Sequence, residues 1–187
     1  MDFPEHPFWD FALEVYMTEG VGAACLTLQA ELHVDVNVVM FCLWNGASGR
    51  GALTDAEIAA AIAAVETWHE RVVKGLRAVR QVMKGGMPPA PVELSEPLRR
   101  RIQKIEIDAE HLEQLMLAAA VVREPVAGRP AASRARDGVA TIAAYLRAIG
   151  ARPTPAHAAA LAVVLAPAFR DLAPAALEAI CRDGLTA

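Results

Sequence analysis

Two stripes of residues, stepping alternately by four and three, constrain this chain more than any other feature. Ile58, Ile62, Val65, His69, Val72, Leu76, Val79 and Met83 form the first stripe. Leu98, Ile102, Ile105, Ala109, Leu112, Met116, Ala119 and Arg123 form the second, apolar up to its last member. Such spacing keeps one side of a helix turned toward a partner along its whole length. Between the stripes, Gly85-Gly86-Met87-Pro88-Pro89-Ala90-Pro91 cannot continue a helix, because each proline lacks the backbone donor. The sequence therefore predicts a long antiparallel helical hairpin over residues 55–122, with the pattern of a coiled coil.

The rest of the chain agrees with an all-α fold. Pro7 suits the first turn of a helix through Phe8, Trp9, Phe11 and Tyr16, which Thr18-Glu19-Gly20 ends. A second helix carries Val21, Ala24, Cys25, Leu28 and Leu32. Asp35 can cap a third, apolar on nearly every side from Val38 to Trp44, which belongs in the middle of a core. Thr54 and Glu57 have capping-box spacing at the start of the hairpin, and Ser95 with Pro97 is expected to open its second arm. Residues 124–138 read as a flexible linker, with Pro125, Gly128, Pro130 and Gly138 among Ala and Arg. Residues 139–187 then form a small C-terminal helical segment, with helices at Val139–Ile149, from Pro155 to before Pro167, and over 174–181. The expected organisation is a core domain at 1–123, a linker, and that extension.

A length of 187 residues and an apolar share of 55% suffice for one buried core. Cys25, Cys42 and Cys181 are odd in number, lie far apart and show no metal-site spacing, so they read as buried thiols of a reducing, cytoplasmic compartment. The start, Met1-Asp2-Phe3-Pro4-Glu5, lacks the basic flank and apolar core of a secretory leader. The run from Val34 to Trp44 would span about 16 Å as a helix, roughly half a bilayer core, so no membrane span is expected.

Several words along the chain have a likeness elsewhere. Phe8-Trp9-Asp10-Phe11-Ala12-Leu13, Ala24-Cys25-Leu26-x-Leu28-Gln29, Asp35 to Trp44, and Trp68-His69-Glu70-Arg71-Val72-Val73 with Leu76-Arg77 stand in that order. Together they resemble an uncharacterised bacterial family of conserved hypothetical proteins, over about residues 7–120. The resemblance brings no activity, cofactor or catalytic residue with it.

Charge is strongly segregated. Residues 71–104 carry nine basic and two acidic side chains, a net of +7, and the remaining 153 residues carry nine basic and twenty acidic, a net of −11. The basic stretches would meet at the hairpin tip, where they raise the local concentration of anionic partners. Arg77, Arg80, Lys84, Arg99 and Arg100 are the expected contact residues, and a protein with an acidic surface is the expected partner. Nucleic acid is less favoured, since no stacking aromatic follows Trp68 in this region. Self-association through the apolar seam or the Ala-rich C-terminus is a further possibility.

His69 interrupts an otherwise apolar stripe. Pairing the two arms so that partner numbers sum to about 180 puts it near His111. Glu66-x-x-His69 and Asp108-x-x-His111 both have the spacing used by metal-binding helical bundles, although Glu14 and Glu31 are the only upstream carboxylates to complete such a site. A polar layer that fixes register explains His69 as well, and the expectation is no metal, no cofactor and no catalytic residue. Ser48, Ser95 and Ser133 have no nearby His, and Gly46-x-x-Gly49-x-Gly51 lacks the ending of a phosphate loop. His157 reads as an ordinary first-turn residue. The Phe8, Trp9, Phe11 and Tyr16 cluster is expected to pack on Phe41 and Trp44. The expected role is a non-enzymatic adaptor using the basic tip; the alternative is a small-molecule- or metal-binding bundle using His69 and His111 or the aromatic core.

Overall fold

A computed structural model describes residues 3–186 and is all-α, with no strand among them. Met1 and Asp2, on which the leader reading partly rests, lie outside the described residues. The helices are α1 (Pro7–Tyr16), α2 (Val21–Leu32), α3 (Val36–Ala47), α4 (Asp55–Trp68), α5 (Lys74–Val82), α6 (Val92–Ala120), α7 (Ala131–Ala148), α8 (Pro155–Leu165) and α9 (Pro174–Thr186). A π-helical turn, His69–Val73, joins α4 to α5 without a break.

Local chemistry sets the boundaries. The Asp35 carboxylate accepts from the Asn37 backbone N–H at 2.8 Å and so caps α3. Thr54 and Glu57 form the reciprocal capping box at α4. α6 begins at Val92 rather than near Ser95, and Pro97 lies inside it. At this position proline leaves the Glu93 carbonyl one turn back without its helical donor, so α6 forgoes one bond of its ladder there.

α3 is the central element, buried from Asn37 to Ala47, with α1, α6 and α7 packed around it. α3 and α7 cross so closely that a Cβ on Gly46 would stand 2.4 Å from the Gly138 nitrogen. Only glycine permits that approach. α8 and α9 close the far side through Leu161, Leu165, Phe169, Leu177 and Cys181, all within one core with α1–α3. The C-terminal segment is thus part of the core rather than an extension of it. Residues 131–138, expected as linker, are the first two turns of α7. Their Ala and Gly content, which suggests a loop by composition, serves the close crossing instead.

The α4–α5 rod lies along α6, running in the opposite direction. Glu57 meets Arg123, His69 meets Glu113, and Arg77 meets Glu106. The apolar stripes, however, do not supply the whole seam. Ile58, Ala61, Val65 and His69 face inward, and then Val73, Arg77 and Arg80 take the places expected for Val72, Leu76 and Val79. The π turn inserts one residue and rotates the following helix by about 100°. On α6 the inward positions are Glu106, Ala109, Glu113 and Leu117, with Val121 just past its end, because steps of four outrun a strict heptad in a straight helix. Leu98 and Ile105, expected in the seam, are exposed.

Phe8, Phe41 and Trp44 form the expected aromatic cluster, with centroids 5.3–6.0 Å apart. Trp9 instead stacks on His111, and Tyr16 is exposed. Cys25, Cys42 and Cys181 are buried free thiols, and burial pushes Cys25 and Cys181 up to about 12. Among the described residues no single helix is long and apolar enough to cross a membrane.

Candidate functional site

Three buried titratable side chains converge where the π turn, the start of α3 and the middle of α6 meet. His69 Nδ1 lies 3.0 Å from Asp35 Oδ2 and 3.0 Å from Glu113 Oε1. Asp35 and His69 are more than nine-tenths buried, and Glu113 is wholly so. A ring nitrogen carries at most one hydrogen, so it cannot give a full hydrogen bond to both carboxylates at once. What the three atoms share is a common focus, all within 4.8 Å of one another.

Both carboxylates are held from behind. Asn37 Nδ2 donates to Glu113 Oε2 at 2.6 Å, and Gln114 Nε2 donates to Asn37 Oδ1 at 2.8 Å. The second Asp35 oxygen is occupied by the α3 cap, while the Asp35 backbone N–H donates to Tyr145 Oη at 2.9 Å. Gln114 Oε1 is buried with no hydrogen-bond partner among the described residues. Such supporting bonds fix the direction in which a ligand atom points.

The electrostatics follow from burial and crowding. Burial opposes a charge on His69, but hydrogen bonds to Asp35 and Glu113 outweigh it and raise the imidazole to about 9. Burial pushes Glu113 up to about 7, against the hydrogen bond to His69 and with the repulsion of Asp35. Glu110 is raised by burial despite Arg77. Two carboxylates this close in a dry site call for a cation between them, whether a proton or a metal.

The residues expected from spacing fare unevenly. His69 is in the cluster. Glu66 is exposed, Asp108 is half-buried, and the His111 ring lies flat on Trp9 at 3.9 Å, so the two i, i+3 pairs do not converge. The partner of His69 is Glu113, two residues beyond the expected one. Glu113 carried a sequence signal, since 69 and 113 also sum close to 180. Asp35 read only as a helix cap, and nothing local marks Asn37, Gln114 or Tyr145.

Most cations of the expected contact surface are paired internally. Arg77 bonds Glu106 at 3.1 Å and Glu110 at 2.6 Å, and Arg80 grips both oxygens of Glu106. Arg99 forms a fork on Glu96, both bonds 2.7 Å, and Arg100 reaches the same carboxylate. Lys84 is exposed in the turn that follows α5.

The fold and site define an all-helical bundle built around a buried Asp–His–Glu centre. The chain belongs to a protein family of unknown function, DUF2390, whose pattern it matches over residues 7–117. That segment holds Asp35, His69 and Glu113, while Tyr145 lies beyond it. No match was found among curated proteins or among solved structures.

Proposed function

We propose that the protein is a metal-binding helical bundle in which Asp35, His69 and Glu113 hold one divalent first-row transition ion. The observation that carries this reading is that Nδ1, Oδ2 and Oε1, from three separate elements, lie within 4.8 Å of one another in a buried site. A neutral imidazole with two carboxylates carries a charge of −2, which a dication balances where a single proton does not. One imidazole and two carboxylates suit zinc, manganese or ferrous iron better than magnesium or calcium, which prefer an all-oxygen shell. Three protein ligands leave at least one coordination position for water or a small ligand, as in catalytic rather than structural sites.

The test is titration of Zn²⁺ and Mn²⁺ into chelator-stripped protein by calorimetry. The expected result is one ion per chain. Asp35→Asn keeps the α3 cap but removes the anionic ligand, and should weaken binding by about tenfold or more. Uptake that this variant leaves unchanged, or no uptake at all, would make the cluster a hydrogen-bonded layer that sets the register of α6 on the α4–α5 rod.

A further inference from the structure

The outer half of the rod presents a face that nothing within the described residues covers. Of the distal members of the two apolar stripes, Leu76, Ile102 and Met83 (just past α5) are partly buried, and Val79 on α5 with Leu98 and Ile105 on α6 are left open. Val79, Leu98 and Ile105 are about half exposed, and Val82, Val92 and Leu94 are more so. Each stripe bears a fixed relation to the ion-paired seam: Leu76 precedes Arg77, Val79 precedes Arg80, and Ile105 precedes Glu106. One residue is a turn of about 100°. A rotation of the same sense on two antiparallel helices brings both stripes to the same flank, so they form one shallow apolar groove along the rod.

The groove is edged with cations that have no internal partner. Lys84, Arg101 and Lys104 are exposed and form no ion pair among the described residues. Leu94, Leu98, Arg101 and Ile105 recur at steps of four, three and four, which sets Arg101 within the stripe itself.

We infer that this groove receives one acidic amphipathic helix of another protein, laid along α5 and α6 as a third strand of the bundle. Two parallel stripes at heptad spacing are the seat that a third helix fills, knob into hole. Charge selects the occupant. With the acidic partners of its arginines included, the rod from Glu70 to Glu110 carries nine basic and six acidic side chains, a net of +3. Its unpaired cations beside the groove, Lys84, Arg101 and Lys104, disfavour a second copy of the same face and attract a helix rich in Glu and Asp. No aromatic residue occurs between Trp68 and Tyr145, which argues against an interfacial membrane anchor, where Trp and Tyr gather. The contact residues therefore shift from the internally paired Arg77, Arg80, Arg99 and Arg100 to Lys84, Arg101 and Lys104 with Val79, Leu98 and Ile105. This surface is independent of the Asp35–His69–Glu113 centre.

The experiment uses the full chain and a fluorescent three-heptad peptide with Leu at the two core positions and Glu at most others. The same peptide with Lys in place of Glu, vesicles of phosphatidylglycerol, and light scattering of the protein alone complete the set. The expected result is one acidic peptide per chain, with binding that weakens as salt rises and no binding of the Lys peptide. The pair Arg101→Glu and Lys104→Glu should weaken binding by about tenfold or more, as should Leu98→Ser with Ile105→Ser. Both pairs lie on the surface and should leave the helical circular dichroism signal intact. Failure of the acidic peptide to bind, or binding unchanged in both paired variants, overturns the proposal. So does vesicle binding in place of peptide binding, or a dimer that Leu98→Ser with Ile105→Ser dissolves.

Discussion

Replacing His69 with leucine isolates what the two carboxylates do to one another. In chelator-stripped protein the substitution keeps the volume of the side chain but removes the donor at 3.0 Å from both Asp35 and Glu113. The two anions then face each other in a dry site. Their escape is to share one proton, which costs about 1.4 kcal/mol for each pH unit above the ordinary carboxyl value. For a glutamate whose ordinary value is 4.5, that is at most about 5 kcal/mol at pH 8 and about 2 kcal/mol at pH 6. The loss at pH 8 agrees with the roughly 3–5 kcal/mol typical of a broken buried pair. Adding Glu113→Leu removes one of the two charges but orphans the Asn37 amide, which costs about 1–3 kcal/mol. The double variant should therefore be about 2 kcal/mol more stable than His69→Leu alone at pH 8. Urea unfolding followed by circular dichroism at the two pH values reads both effects. A His69→Leu loss that does not depend on pH, or losses that simply add in the double variant, would refute the reasoning.

Three further outcomes are expected. Gly46→Ala forces a methyl to within 2.4 Å of the Gly138 backbone and should cost about 3 kcal/mol, lowering the melting temperature by about 6–12 °C; an unchanged melting temperature would contradict the α3–α7 crossing. The Arg123 guanidinium, with help from Thr54 and against burial, holds Glu57 down at about 2 rather than 4.5. Because the folded value is the lower one, this stabilisation is present above pH 4.5 and lost as the pH falls through 2; Glu57→Gln should cost about 1 kcal/mol at neutral pH, and the difference should vanish in acid melts. Trp68 Nε1 donates to the Ala109 carbonyl at 3.0 Å across the α4–α6 contact, so Trp68→Phe should cost about 1 kcal/mol in urea unfolding, with no change in metal uptake.

How much could be read in advance depends on how local the signal was. The caps at Asp35 and Thr54 and the all-round burial of α3 follow from short-range chemistry, and the sequence carries them in single words. The helix pair and the sum near 180 follow from period and a loop position, which survive small errors. What the sequence conceals is rotation about a helix axis. The π turn at His69–Val73 leaves no compositional trace, yet it swings Val72, Leu76 and Val79 off the seam and brings Arg77 and Arg80 into it. A one-residue error of about 100° likewise set Glu113 off the stripe: it stands beside the apolar Leu112, and only the sum near 180 pointed to it. Asp35 was hidden differently: its capping role is real, and it uses only one of the two oxygens. Residues 131–138 misled because Ala and Gly serve a close helix crossing as readily as a loop.

The most direct measurement of the central claim is the metal content, by elemental mass spectrometry, of protein purified without chelator or metal-affinity resin, beside Asp35→Asn and His69→Leu prepared the same way. The account predicts close to one equivalent of a first-row divalent ion in the natural sequence and strong depletion in both variants. A fully folded natural protein that carries no metal, and takes none up when Zn²⁺ or Mn²⁺ is supplied, would contradict it.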